Sequence, residues 1–294
     1  MAVCFRGSFT ALVMPFRGGK LDEAALRKIV EAQVAGGTDG LVPCGTTGET
    51  PTLTLEERLR VIALTVEVAK GRLPVIAGGA GNDTRTAIEA TKQAKELGAD
   101  GVLAVTPYYN RPTQEGLFRH FEAIAQIGLP VVAYNVPART GVDLLPETVG
   151  RLHRAGWIAA IKDATGSMAR ALDLVEITGG ELGLLSGDDF TVAPFLACGG
   201  HGVISVSSNA VPQRMKALVQ AGLSGDVVAA RREQLRLLPF HRAISAETNP
   251  IPIKAAMAEI KLCEAELRLP LTPLSPHLLS PLRSALTQIL EVST

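Results

Sequence analysis

Trp157-Ile158-Ala159-Ala160-Ile161-Lys162-Asp163-Ala164-Thr165-Gly166 is an apolar run that ends in a lysine and then turns. It lacks helical periodicity and is bounded by Gly156 and Gly166, which reads as a buried strand. Lys162 is the odd residue in it. Stripping water from an ammonium is costly, so a lysine at the end of a core strand must reach solvent, meet a partner or shift its pKa. A lysine of the last kind supplies the neutral amine that forms a Schiff base with a carbonyl compound. The alternative is a lysine that marks the strand end and snorkels outward. The strand alone leaves both readings open.

Outward from this stretch, strands and helices alternate. Strands are expected near residues 9–13, 41–42, 74–77, 102–105, 131–134, 182–185 and 203–205, with the Lys162 run as the sixth of eight. Between them lie helices with clear punctuation. One begins at Asp22 and stops at Gly36-Gly37; Thr54 opens the next, with Glu57 completing a capping box. Others are expected at 84–97, from Gln114 to Gly128, from Pro146, at 167–177, at 191–198 and from Pro212. Eight alternations close a TIM (β/α)8 barrel. An open doubly wound sheet would carry a glycine fingerprint after its first strand, and Met14-Pro15-Phe16 is not one. Three helix-to-strand turns resemble one another, Gly37-Thr38-Asp39-Gly40, Gly98-Ala99-Asp100-Gly101 and Gly199-Gly200-His201-Gly202, as glycine at a helix end explains. The alternation stops near Gly225. Helices are expected at 227–238, after Asn249-Pro250-Ile251-Pro252 through 262, and at 278–290. The expected organisation is a barrel over residues 1–224 and a small helical domain over 225–294.

Composition excludes several classes of function. Of 294 residues, 47% are apolar, which supports a large core, and Lys plus Arg balance Asp plus Glu at 29 each. No basic surplus points to nucleic acid. The start Met1-Ala2-Val3-Cys4-Phe5-Arg6 lacks a signal-peptide layout, and no apolar run spans a bilayer. Cys4, Cys44, Cys198 and Cys263 match no zinc spacing and are expected as reduced thiols. A cytoplasmic globular protein is the expectation.

In a TIM barrel the chemistry sits at the C-terminal ends of the strands. The residues there are Pro15-Phe16, Gly45-Thr46-Thr47-Gly48-Glu49, Gly78-Gly79, Thr106-Pro107-Tyr108-Tyr109-Asn110, Tyr134-Asn135-Val136-Pro137, Lys162-Asp163, Gly187-Asp188-Asp189 and Ser205. All three tyrosines of the chain, Tyr108, Tyr109 and Tyr134, fall in this set. That confinement favours a phenol used as proton donor and acceptor over an aromatic at a rim. The Gly45–Glu49 stretch offers hydroxyls and free N–H groups for a small carboxylate, or is simply a turn with capping threonines. Glu49 is read as a loop support. Arg139 either holds a carboxylate in bidentate fashion or is a surface arginine. Glu49, Asp188 and Asp189 raise a magnesium alternative, but the five histidines are scattered outside the set, and a metal-free, cofactor-free lysine mechanism ranks higher.

Nearly the whole chain resembles the dihydrodipicolinate synthase family, among the pyruvate-dependent class I aldolases and lyases. The resemblance rests on Gly45-Thr46-Thr47-Gly48-Glu49, Thr106-Pro107-Tyr108-Tyr109-Asn110-Arg111-Pro112, Tyr134-Asn135-Val136-Pro137-x-Arg139-Thr140-Gly141, Ile161-Lys162-Asp163-Ala164-Thr165-Gly166, Ser186-Gly187-Asp188-Asp189, Gly200-His201-Gly202-Val203-Ile204-Ser205 and Asn249-Pro250-Ile251-Pro252-x-Lys254. It implies a barrel with a C-terminal helical domain, assembled as a homotetramer, that condenses pyruvate with L-aspartate 4-semialdehyde on the way to diaminopimelate and lysine. It implies that Lys162 forms the pyruvate imine, that Tyr134 shuttles protons, and that Thr46 and Tyr109 complete a relay, Tyr109 reaching into a neighbouring subunit. Thr47 and the backbone at Ile204 are implied to hold pyruvate, and Arg139 the semialdehyde carboxylate. Sialate lyases and keto-deoxy sugar acid aldolases share the lysine and the Tyr-Asn-x-Pro motif but generally lack the arginine. They remain the alternative reading, and a barrel that binds a small acid without turning it over is the alternative of a different class. Asp163 stands where many members have Glu. At the family's lysine effector site this chain keeps Asn82 and Tyr108 but has Leu55, Arg58 and Thr86 where lysine-sensitive members carry His, His and Glu. Weak or absent feedback by lysine is the expectation.

Overall fold

The computed structural model describes residues 5–79 and 81–291; Cys4 and the other residues of the first four lie outside the described residues. Among the described residues, eight strands form one parallel sheet: β1 Gly7–Ala11, β2 Gly40–Val42, β3 Ile76–Ala77, β4 Gly101–Val105, β5 Val131–Asn135, β6 Ala160–Asp163, β7 Gly183–Ser186 and β8 Gly202–Ser205. Their order is β2-β1-β8-β7-β6-β5-β4-β3. The two end strands meet. Leu41 bridges Val75 in parallel, Leu41 N donates to Pro74 O at 2.9 Å, and Gly78 N donates to Pro43 O at 2.8 Å. The sheet is thereby closed, and the fold is the expected TIM barrel.

Helices follow the strands in turn: α1 Glu23–Ala35, α2 Leu55–Ala69, α3 Thr84–Glu96, α4 Gln114–Ala125, α5 Pro146–Arg154, α6 Met168–Thr178, α7 Val192–Ala197 and α8 Pro212–Leu223. Their starts are those the capping residues mark. Asp22 accepts from Ala25 N, Thr54 and Glu57 form the capping box of α2, and Ser167 accepts from Arg170 N.

The period of two along each strand separates two cores. Phe9 and Ala11 of β1, Val132 and Tyr134 of β5, Leu185 of β7 and Ile204 of β8 fill the barrel interior. Leu41, Ala133, Ile161, Leu184 and Val203 pack outward against the helices. Phe5 and Phe9 meet edge to face at 6.2 Å in that interior. The repeated glycine turns find their reason here. Gly37 and Gly98 adopt positive φ after α1 and α3. The second glycine of each turn makes room: a Cβ on Gly40 would lie 2.2 Å from Phe9, and one on Gly101 2.8 Å from Phe5. The aspartates between them stitch strand starts together, Asp39 accepting from Ser8 N and Asp100 from Val75 N, each at 2.8 Å.

Three further helices follow among the described residues, α9 Val227–Ile244, α10 Ile251–Glu259 and α11 Pro276–Glu291. The expected end of α9 at residue 238 is corrected. The helix runs through Pro239, because Leu237, Phe240 and Ile244 on either side of it are buried, and that burial outweighs one lost backbone bond.

One histidine of the shell makes stability depend on pH. His120 on α4 is buried and its Nδ1 lies 2.9 Å from Thr84 Oγ1 on α3. Burial holds its imidazole down to about 4 from the ordinary 6.5, against a smaller upward pull from the Asp83 carboxylate. The folded protein keeps it neutral at acidities where the unfolded chain binds a proton. Its contribution is intact above pH 6.5 and fades as pH falls toward 4. Going from pH 7 to pH 5 is expected to cost about 2 kcal/mol through this group. Urea denaturation of wild type and His120→Gln at both pH values checks it; parallel losses in the two proteins would refute it.

Candidate active site

Register brings the central lysine to its neighbour. Tyr134 of β5 pairs with Lys162 of β6, and Lys162 with Leu185 of β7. Ala160 belongs to the barrel interior, so Lys162, two residues on, points inward at the C-terminal mouth. It is 6% exposed, and its Nζ sits over the Tyr134 ring, 4.3 Å from the centroid. No carboxylate among the described residues pairs with this ammonium. Gly187, just after β7, keeps the space open: a Cβ there would lie 3.0 Å from Lys162 Cε.

Asp163 faces the other way. It is buried and accepts from Arg170 Nε of α6 at 2.7 Å and from Asn135 Nδ2 at 3.2 Å. Asn135 Nδ2 also donates to Asp143 at 2.8 Å, and Arg170 pairs with the same Asp143. This network braces β5 and β6 from behind. The departure from Glu at Asp163 therefore falls on the outer face of the strand, away from the amine.

The stretch after β2 forms a single 3-10 turn, Thr46–Gly48, and Glu49 follows in the left-handed region with φ 49°. A left-handed glutamate is unfavourable, so something must hold it. Its carboxylate is fully buried and paired with the equally buried Lys254 of α10. Arg268 N donates to its second oxygen at 3.2 Å. Lys254 Nζ and the Arg268 guanidinium lie over the Phe16 ring at 4.3 and 4.2 Å. Burial pulls the Lys254 pKa below its ordinary value, and the Glu49 charge opposes that pull. Arg268 also grips the α2 cap, with Nη1 2.7 Å from Glu57 Oε2 and 2.8 Å from Thr52 O. The tail thus holds the threonine turn in place. Thr47 is buried and accepts from Asn249 Nδ2 at 3.0 Å.

Arg139 lies on the one-turn helix Pro137–Thr140 that follows β5, exposed, its Nη2 donating to Asn249 O at 3.3 Å. Tyr108 and Tyr109 follow β4. Tyr109 is 90% exposed and has φ 72°, a left-handed backbone that turns it off the surface. Asn82 Nδ2 donates to Tyr108 O at 3.1 Å, and Asn110 Nδ2 to Asn82 O at 2.8 Å. A cavity of about 620 Å³ runs from Thr46 and Arg139 past Val105 to Leu55, Arg58 and Tyr108. Lys162 and Tyr134 are not in its walls. They stand beside it, two strands and one strand on from Val105, whose register partner is Tyr134.

The barrel mouth therefore gathers Lys162, Tyr134, Thr46, Thr47, Arg139 and the Ile204 strand end. No hydrogen bond among the described residues joins Tyr134, Thr46 and Tyr109 within one chain. Asp188 accepts from Thr191 Oγ1 at 2.7 Å and Phe190 N at 3.3 Å, and Asp189 Oδ2 accepts from Val206 N and Ser207 N at 3.1 and 2.8 Å, while its buried Oδ1 has no partner among the described residues. Sequence reasoning passed over the tie between the tail and the threonine turn, Glu49 to Lys254 and Thr47 to Asn249. Glu49 read as a loop support, yet its partner lies 205 residues away, beyond any spacing rule.

A family model described as the Dihydrodipicolinate synthetase family matches residues 4–289. The chain belongs to this family. A 4-hydroxy-tetrahydrodipicolinate synthase of Nitratidesulfovibrio vulgaris is 51% identical over 285 residues, covering 96% of this chain and 98% of the relative. The solved 4-hydroxy-tetrahydrodipicolinate synthase from Methylacidiphilum fumariolicum SolV superposes with a TM-score of 0.95 at 46% identity, covering 98% of this chain and 96% of that one. The chloride-inhibited dihydrodipicolinate synthase from Acinetobacter baumannii, complexed with pyruvate, gives a TM-score of 0.95 at 44% identity, covering 97% and 98%.

Proposed function

We propose that the chain is a 4-hydroxy-tetrahydrodipicolinate synthase that condenses pyruvate with L-aspartate 4-semialdehyde. The observation that carries this reading is Lys162, buried at the end of β6 against the Tyr134 ring, beside the cavity that Thr46 and Arg139 line. The Lys162 amine adds to the pyruvate keto carbon and water leaves, giving an imine. Loss of a methyl proton gives the enamine, whose carbon attacks the aldehyde. Tyr134 passes protons at the imine and to the new alkoxide. The amino group of the second substrate then displaces the lysine and closes the ring. Thr47 and the backbone at Ile204 hold the pyruvate carboxylate. Thr46 and Tyr109 extend the relay, and the 90% exposure of Tyr109 supports its serving a neighbouring subunit of a homotetramer.

The test of the second substrate is ring formation from pyruvate and aspartate semialdehyde, measured beside sialate cleavage. Ring formation is expected and sialate cleavage is not. Arg139→Ala is expected to lower kcat/KM for the semialdehyde about 100-fold or more, because a bidentate charged contact is lost. The KM for pyruvate should change little. Unchanged semialdehyde kinetics would remove Arg139 from the site.

Asn82 and Tyr108 line the region where lysine-sensitive members bind their effector, but the partners there differ. Arg58 spends its guanidinium on Gly79 O at 3.0 Å and Gln93 Oε1 at 2.7 Å. Thr86 is tied to Asp83 in the α3 cap. Thr86 lacks the carboxylate that would meet the effector's ammonium, and Arg58 puts a cation at a position where sensitive members carry His. Submillimolar lysine is expected to leave the steady-state rate nearly unchanged; strong inhibition there would contradict this.

A further inference from the structure

Asn249 touches both side chains assigned to the two substrate carboxylates. Its amide Nδ2 donates to Thr47 Oγ1 at 3.0 Å, and its main-chain carbonyl accepts from Arg139 Nη2 at 3.3 Å. The direction of the first bond matters. A hydroxyl has one proton to give and two lone pairs to fill. When the amide fills a lone pair, the Thr47 proton is unspent, and among the described residues no other group bonds this buried hydroxyl. Among the described residues the buried Asn249 Oδ1 has no donor, so the bond to Thr47 is the only one its side chain makes there.

We infer that Asn249 is a positioning residue that sets the polarity of Thr47: by donating to the hydroxyl, it commits the Thr47 proton to the pyruvate carboxylate. This rests on the proposed function and assigns the tail of the chain a part in binding the first substrate. The chemistry predicts a split between the two substrates. The side chain governs the pyruvate half through Thr47. The contact to Arg139 comes from the backbone and survives a change of side chain.

Asn249→Asp replaces the donor with an acceptor, to which the Thr47 proton turns. The KM for pyruvate is expected to rise about 10- to 100-fold, the loss of one hydrogen bond to a charged group. The KM for the semialdehyde should stay within about threefold of wild type. A purely structural role would move both constants together. A negative charge repelling pyruvate would act with or without Thr47, so the Thr47→Val background separates that effect. There, Asn249→Asp should add almost nothing. If Asn249→Asp does not fold, the cycle of Asn249→Ala with Thr47→Val carries the test: coupled effects on the pyruvate KM support the inference, and additive effects overturn it. A wild-type pyruvate KM in Asn249→Asp, an equal rise in both constants, or an undiminished effect in the Thr47→Val background also overturns it. Borohydride trapping at saturating pyruvate keeps this apart from the function itself. Labelling of wild type means that only the polarity argument has failed, whereas an unlabelled wild type means the imine chemistry has.

Discussion

Borohydride added in the presence of pyruvate is expected to fix a mass increase on the Lys162 peptide, and Lys162→Met is expected to abolish both the adduct and about 10⁴-fold or more of the turnover. The size of the effect follows from the chemistry. In the proposed mechanism the imine comes from the Lys162 amine, and without it the pyruvate methyl has no route to an enamine. The folded structure should survive the change. The Lys162 ammonium contacts the Tyr134 ring and no carboxylate among the described residues, so an unbranched apolar side chain of similar length leaves no charge unpaired. Thermal unfolding should therefore be close to wild type while activity disappears. Full activity in Lys162→Met would sink the imine mechanism, as would trapping on another residue.

Lys254→Met should behave in the opposite way, damaging the fold first. It strands the Glu49 carboxylate in a fully buried position with only the Arg268 N–H left to meet it. Breaking one side of a buried pair costs about 3–5 kcal/mol, most of it the uncompensated charge. The double variant Glu49→Gln with Lys254→Met removes that charge and should recover much of the lost stability, so the single variant is expected to melt well below the double. Activity should fall in both, since Glu49 in its left-handed conformation ends the turn that carries Thr46 and Thr47. Equal melting temperatures for the single variant and wild type would show that the pair contributes little.

The barrel was legible because its signals are local. Capping residues such as Asp22, Thr54 and Ser167 start helices where they should, and apolar runs of the right length mark the strands. Lys162 stood out because a lysine conflicts with the run that contains it. The tyrosines stood out because they are few and confined to strand ends. The inward direction of Lys162 and the outward direction of Asp163 need only the period of two. What stayed hidden was every contact made across long stretches of chain. Neither Asn249 to Thr47, 202 residues apart, nor Arg268 to Glu57, 211 apart, leaves a pattern in composition or spacing. The path of α9 through Pro239 was hidden for the same reason, since tertiary burial decided it against local propensity.

The bond between Glu49 and Lys254 also sets an order of events during synthesis. Glu49 leaves the ribosome 205 residues before its partner, and Arg268 follows later still. Until then the Glu49 carboxylate that ends the threonine turn has no counter-charge. A nascent chain stopped short of the tail would leave the Glu49 carboxylate with neither Lys254 nor the Arg268 N–H to meet it.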